Sequence, residues 1–364
     1  MTDGTTELSL PQPSGLQPGG RSLAAFAALD LGTNNCRLLI GAPTADGFRV
    51  LDSFSRVVRL GEGLHRSGEL HPDAMDRALL ALQACVHRLE RRPLCGLRAI
   101  ATEACRRAVN GRSFLERVHR ETGLRVEVIS SREEAELALE SCAPLLRGAG
   151  RRALLFDIGG GSTEIAWVRL SPRGVRPELI GTISLPIGVV TLADRFGASA
   201  CDPAVYAAMV EEVKRRLRPF EAVHCIGHEI RNGAVSLLGT SGTVTTLAGV
   251  ALDLPRYSRL HIDGVVLSSE AAGAALGRLR AMGRDGMARH PCVGPDRADF
   301  VLPGCAIFSA IHELWPAPRV LVADRGLREG ILLRLMRAGR SRGGRSAANG
   351  RTAPPLRVAD SAHA

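Results

Sequence analysis

Two aspartates stand in matching local settings far apart in the chain. Asp30 opens the run Asp30-Leu-Gly-Thr-Asn-Asn-Cys-Arg37 after the apolar stretch 24–29, and Asp157 opens Asp157-Ile-Gly-Gly-Gly-Ser-Thr-Glu164 after 153–156. In each, a carboxylate ends an apolar segment, a glycine turn with hydroxyl or amide side chains follows, and a second apolar segment comes after it, 38–41 and 165–168. Glycines let backbone N–H groups approach phosphate oxygens, and a carboxylate beside them can hold a cation. Two copies suggest two lobes clamping one phosphorylated ligand. The second run departs from the dinucleotide fingerprint, because an apolar strand follows its glycines where that motif needs a helix, and it lacks the Gly-Lys-Ser/Thr of a P-loop. The plain alternative is a glycine hairpin with surface acids. Three consecutive glycines weigh against it, since each costs about 0.5–1 kcal/mol of chain entropy.

Other segments carry weaker signals. Leu238-Gly239-Thr240-Ser241-Gly242-Thr243 joins an apolar strand to a helix start, and free amides plus hydroxyls there form an anion site or simply a capped helix. Ser131-Arg132-Glu133-Glu134-Ala135-Glu136 opens a helix; its acids suit either the helix dipole or a catalytic carboxylate. Arg106 and Arg107 follow the strand 97–101 and reach either phosphates or solvent. His224, Cys225 and His228 are clustered soft ligands, but no second ligand pair follows at finger spacing, so a structural zinc is not expected.

Alternating strands and helices must position these groups. Strands are expected near 24–30, 36–41, 47–54, 97–102 and 125–129, with helices over 73–91, 112–121 and 132–146. The glycine- and arginine-rich stretch 147–152 reads as a boundary. The second half repeats the plan, with strands 153–158, 163–169 and 176–184 and helices 188–196 and 203–218. A strand 234–239 then leads into a helix 242–252; helices 268–282 and 299–314, a strand 319–323 and a last helix 325–338 follow. The expected organisation is a disordered segment 1–22, lobe I at 23–146, lobe II at 147–324, a C-terminal helix 325–340 packing back on lobe I, and a disordered basic tail 341–364.

Bulk properties narrow the function. The chain has 364 residues, 45% apolar and 4% aromatic, so base-stacking platforms are an improbable main theme. No run reaches the roughly 18 apolar residues of a membrane span. The first residues lack the basic-then-apolar order of a secretory signal. Nine scattered cysteines without a CxxC fit reduced thiols and a cytoplasmic setting. The net charge is 47 − 37 = +10, with Lys214 the single lysine. Arginine forks suit a polyanionic substrate, or the bias is one of coding. Five of the arginines lie from Arg340 onward, which leaves the folded part modestly basic and weakens a nucleic-acid reading.

Together the segments resemble the exopolyphosphatase / guanosine pentaphosphate phosphohydrolase family. The matching pieces are 29–40, 100–108, Glu133–Glu136, 156–164, Gly239–Thr243 and Ala323-Asp-Arg-Gly-Leu-Arg-Glu-Gly330, and the likeness covers about residues 24–336. It implies an α/β fold of two duplicated actin-like (ribonuclease H-like) lobes around a central cleft. By resemblance Glu134 matches the catalytic carboxylate; Asp157, Glu164 and Asp30 match acids that handle metal and water; Arg37 and Arg106 match substrate-phosphate contacts. Asn35 stands where the family's first loop more often has serine. Phosphate-binding positions would be Gly32, Thr33 and Asn34, then Gly159, Gly160, Gly161, Ser162 and Thr163, then Gly239, Thr240, Ser241, Gly242 and Thr243. The implied activity is Mg²⁺-dependent (or Mn²⁺-dependent) hydrolysis of terminal phosphoanhydride bonds in polyphosphate or guanosine pentaphosphate, by a homodimer. Long members carry a further helical domain, and without it processive action on long chains is not expected. A kinase of the same superfamily and a non-catalytic sensor of guanosine tetra- or pentaphosphate are the alternatives.

Overall fold

The computed structural model describes residues 24–148, 150–171, 177–233 and 235–347. The expectations for 1–22, for the tail beyond 347, and for residues 149, 176 and 234 lie outside them. The first half runs β1 (Ala25–Leu31), β2 (Asn35–Thr44), β3 (Gly47–Val57), α1 (Leu64–Ser67), α2 (Pro72–Leu89), β4 (Leu94–Ala101), α3 (Glu103–Arg107), α4 (Gly111–Thr122), β5 (Val126–Val128) and α5 (Ser131–Cys142). The second runs β6 (Arg152–Ile158), β7 (Thr163–Arg169), β8 (Glu178–Leu185), α6 (Val189–Phe196), α7 (Pro203–His224), α8 (Ile226–Arg231), β9 (Val235–Thr240), α9 (Gly242–Ala251), α10 (Arg259–Ile262), β10 (Val266–Ser268), α11 (Ser269–Arg289), α12 (Ala298–Leu314), β11 (Arg319–Ala323) and α13 (Leu327–Ala347).

The chain is α/β and doubled. One sheet has the order β3-β2-β1-β4-β5, and the other has β8-β7-β6-β9-β11 with β10 added at its edge. In each, the first three strands are antiparallel and the next two lie parallel to the first. The repeat extends to register. Asp30 faces Arg37 across β1 and β2, and Asp157 faces Glu164 across β6 and β7. The turn bond Gly32 N–H to Asn35 O, 2.9 Å, has its counterpart in Gly159 N–H to Ser162 O, 2.9 Å.

Strand alternation decides which face each acid takes. Ala25, Ala27, Leu29 and Leu31 pack outward under α2 and α4, whereas Phe26 and Ala28 face α13 on the inner side, which is also the side of Asp30. Leu154, Phe156 and Ile158 join the outer core under α7 and α12. Ala153 and Leu155 face α5, as does Asp157. The two sheets therefore turn their acidic faces toward each other.

Two helices fill the space between them by exchange. The apolar side of α5, from the first half, packs on the second sheet, while Ile331, Leu332 and Met336 of α13, from the second half, pack on the first. Arg334 and Arg337 bind Glu133, Glu136 and Glu140 along the α5–α13 seam. The C-terminal helix starts at Leu327 rather than 325 and runs on to Ala347. The short helices α1, α3, α8 and α10 and the strand β10 had no periodic signal to announce them. Helix α11 runs past 282 to Arg289 across a kink at Gly283, whose φ of 61° breaks the spiral.

Candidate active site

A cleft of about 160 Å³ opens where the two inner faces meet. It is lined by Asp30, Gly32, Thr33, Asn34, Asn35 and Arg37 from one lobe and by Asp157 through Ser162 with Glu164 from the other. Glu134 enters from the first turn of α5, and Ser241, Gly242 and Thr243 from the start of α9. The glycine loops touch. A methyl built on Gly160 would come within 3.2 Å of Thr33 and Asn34, and one on Gly161 would meet Thr33 Oγ1 at 2.5 Å. Only glycine permits that approach, which leaves main-chain amides of both loops around one space.

Four carboxylates are buried here: Asp30, Glu134, Asp157 and Glu164, each less than a tenth exposed except the half-buried Asp157. Burial pushes Asp157 up to about 6, opposed by Arg37 and reinforced by Asp30. Burial and then Asp157 push Glu164 up to about 7, although Ser162 and Ser184 hydrogen-bond its charged form. Ser184 Oγ donates to Glu164 Oε1 at 2.8 Å. Glu134 is raised well above the ordinary glutamate range by burial and by Glu164, with Arg106 opposing. Asp30 is raised by burial against Arg37 and Arg328. The causes are desolvation and like charge, the setting in which perturbed acids do chemistry.

Glu134 is held from one side. Arg106 Nη1 and Nη2 donate to its Oε2 at 3.2 and 3.3 Å, while the same guanidinium binds Glu103 Oε2 at 2.7 and 3.1 Å and the Ile129 carbonyl at 2.8 Å. Among the described residues Glu134 Oε1 makes no hydrogen bond. Burial works against the Arg106 charge, but Glu134 and Glu103 hold its pKa above the ordinary value. At Ser241, φ is 130°, a left-handed backbone that serine rarely adopts, held where the residue caps α9 and lines the cleft.

Four of the residues expected at the site are not among those lining the cleft. Arg106 lies behind Glu134, because the five-residue helix α3 turns it onto the two glutamates. Thr163 lies on the outer face of β7, one residue out of phase with Glu164, and its hydroxyl donates to Ile187 O at 2.7 Å. Gly239 lies against Phe156 on the outer side. Thr240 bonds the Arg325 carbonyl. Thr102 and Leu327 fall within the matching pieces but are not assigned to the site there, and the motifs missed Val189, Thr246, Arg297, Phe300 and Val301 altogether. Arg297 and Phe300 flank the start of α12, where no motif marks them; the only trace in sequence is an arginine before a long apolar helix.

The polar groups suit a divalent cation. Buried Oδ1 atoms of Asp30 and Asn34 have no hydrogen-bond partner. Among the described residues no three His, Cys, Asp or Glu side chains form a protein-only metal cage, and this holds for His224, Cys225 and His228 as well. One or two carboxylates completed by water and substrate oxygens is how Mg²⁺ is usually held. Asp157 and Glu164, facing each other across β6 and β7, are residues that could do so.

Glycine-turn amides and buried acids on the facing sides of a doubled α/β scaffold are groups suited to a phosphate and its counter-cation. Residues 39–338 match the model of the Ppx/GppA phosphatase family, and the chain belongs to that family. The structure is similar to that of an exopolyphosphatase-like protein, 27% identical over 86% of this chain and 98% of that one, with a TM-score of 0.76. It is similar to the Ppx/GppA family member of Aquifex aeolicus, 27% identical over 87% and 98%, TM-score 0.70. An exopolyphosphatase from Cytophaga hutchinsonii is 25% identical over 86% and 98%, TM-score 0.77.

Proposed function

We propose that this phosphatase hydrolyses terminal phosphoanhydride bonds, releasing orthophosphate from inorganic polyphosphate. The observation that carries the reading is the convergence of Asp30, Glu134, Asp157 and Glu164 on a space walled by the amides of two touching glycine loops. Few ligands other than a polyphosphate with its counter-cation match such a mix of acids and N–H donors. Loop amides and the α9 N-terminus hold non-bridging oxygens, and Arg37 offsets their charge. Arg106 fixes Glu134 through Oε2, which leaves Oε1 to take a proton from the attacking water. The water oxygen bonds to the terminal phosphorus as the bridging P–O bond breaks, giving orthophosphate and a chain one phosphate shorter. Mg²⁺ held by Asp157 and Glu164, with Asp30 facing them from the other lobe, would supply neutralisation of the charge that develops on the phosphoryl oxygens.

Guanosine pentaphosphate is a second substrate on this reading, because Val189, Phe300, Val301 and Leu327 give the cleft an apolar wall that a bare phosphate chain does not need. The test is phosphate release from purified protein with Mg²⁺ or with EDTA, on short polyphosphate, long polyphosphate and guanosine pentaphosphate. Release without any acceptor separates a hydrolase from a kinase. Tight binding of guanosine pentaphosphate with no release from any substrate would make the protein a sensor. Pairing into a homodimer, carried from the family resemblance, is measured by light scattering.

A further inference from the structure

A second concavity lies behind Arg106, between α3, α4 and the edge strand β5. It measures about 820 Å³ against about 160 Å³ for the cleft, too large for a single phosphate. Arg106, Arg112, His119, Arg120 and Arg125 line it, with Glu116 as its one carboxylate. Arg112 takes Glu116 at 3.1 Å. Arg120 and Arg125 are exposed and, among the described residues, form no ion pair. β5 hydrogen-bonds to β4 on one side only, so its outer edge offers further N–H donors. The groove is thus a concave surface with spare positive charge along one side and Ala108, Val109, Leu115, Val126 and Val128 between the arginines.

It is also next to the cleft. Thr102, before α3, lines the cleft, and Arg106 lines the groove. Four residues of helix separate them, about 6 Å of rise. The guanidinium between the two spaces is the one that holds Glu134. No Phe, Tyr or Trp lines the groove, which leaves a single-stranded nucleic acid nothing to stack on.

We propose that this groove is a second anion site that binds the distal part of a condensed phosphate chain whose end is being cleaved. The proposal rests on the polyphosphatase reading of the cleft and extends it to chain length. A two-lobed chain would gain a hold on long substrates through it.

The test uses the full chain and the double variant Arg120→Glu/Arg125→Glu, both positions being exposed and outside the cleft. KM for long polyphosphate should rise about tenfold or more while kcat stays the same and KM for tripolyphosphate stays within about twofold. The slope of log KM against log salt should fall by about 1.4 on long chains, from roughly 0.7 for each of two lost contacts. An equal rise for both lengths would make the effect one of overall charge and overturn the proposal, as would no rise at all. A second measurement does not need turnover: anisotropy of labelled long polyphosphate with EDTA present, expected to show weaker binding to the variant. Displacement of that probe by a single-stranded oligonucleotide at lower concentration than by unlabelled polyphosphate would reassign the groove to nucleic acid. If the wild-type protein releases no phosphate, the reading of the cleft fails, while the anisotropy still decides the groove.

Discussion

Removing divalent cations should make the protein less stable as pH rises from 5 to 8. Glu164 is lifted from 4.5 to about 7 and Asp157 from 3.8 to about 6 in the folded chain. Both are desolvated acids, Glu164 buried and Asp157 half-buried, whose folded pKa exceeds the unfolded one, so the folded state holds protons longer than the unfolded state does. Their contribution to stability is complete below about pH 4 and is lost as pH climbs through 6 and 7. At 1.36 kcal/mol per pH unit, each rise corresponds to about 3 kcal/mol. Each carboxylate makes ionising the other harder, so the combined loss lies between about 3 and 6 kcal/mol. By pH 5 about half of the Asp157 part is already lost, which leaves about 4 kcal/mol to go between pH 5 and 8; at roughly 2 °C per kcal/mol, Tm with EDTA should fall by about 8 °C across that range. Mg²⁺ held by the ionised pair should recover much of the drop at pH 8 and little at pH 5. Differential scanning calorimetry at several pH values, with and without the ion, reads both effects. Glu164→Gln is the control: it removes one titrating group and should flatten the metal-free profile. A metal-free Tm that rises between pH 5 and 8, or a Glu164→Gln profile as steep as wild type, would refute the burial argument.

Glu134→Gln should lower kcat by about 10²–10⁴-fold with Tm unchanged or higher, and near-normal turnover would remove Glu134 as the base. Arg106→Met deletes the cation that opposes the upward shift of Glu134, so the acid limb of the pH–rate profile should move to higher pH and kcat should fall. A variant with lower kcat and an unmoved limb would contradict the pairing. Gly188→Ala places a methyl against the Gly160 backbone and should cost about 1–3 kcal/mol of stability. Through displacement of the glycine loop it should also cost about 10²-fold in turnover. Urea unfolding and steady-state assays on one sample separate the two.

Much of this was legible in the sequence because the two Asp–Gly turns carry their geometry locally. A strand that ends in Asp, a glycine turn and a second strand can only form the tight antiparallel pair seen at Asp30–Arg37 and Asp157–Glu164. The same period-2 rule could have removed Thr163, since a residue adjacent to an inward Glu164 must face outward. Other features depend on distant partners. The amphipathic pattern of α5 shows that one side is buried but not on which sheet, and its exchange with α13 is set by how the halves dock. Arg106 could have reached substrate or solvent; its place was decided by Glu103, three residues earlier, and Glu134, 28 residues later. Arg297 and Phe300 reach the cleft only because α12 packs beside α6 and α9, a contact with no local signature.

The register repeat explains why the two lobes are not interchangeable. Arg37 in the first lobe occupies the position that Glu164 occupies in the second, seven residues after the aspartate and directly across the ladder from it. An acid at both positions would put five carboxylates around one cleft, raising every pKa there further and favouring the protonated forms that neither hold a cation nor accept a proton. Arginine at 37 instead draws down both Asp30 and Asp157. On the proposed reading this would leave the paired acids of the second lobe to face a cation while the first lobe would offer a fixed positive charge to phosphate. A doubled scaffold with mirrored charges would bind either the ion or the anion well. With Asp–Arg in one half and Asp–Glu in the other, opposite walls can hold both ends of the same ion–phosphate pair.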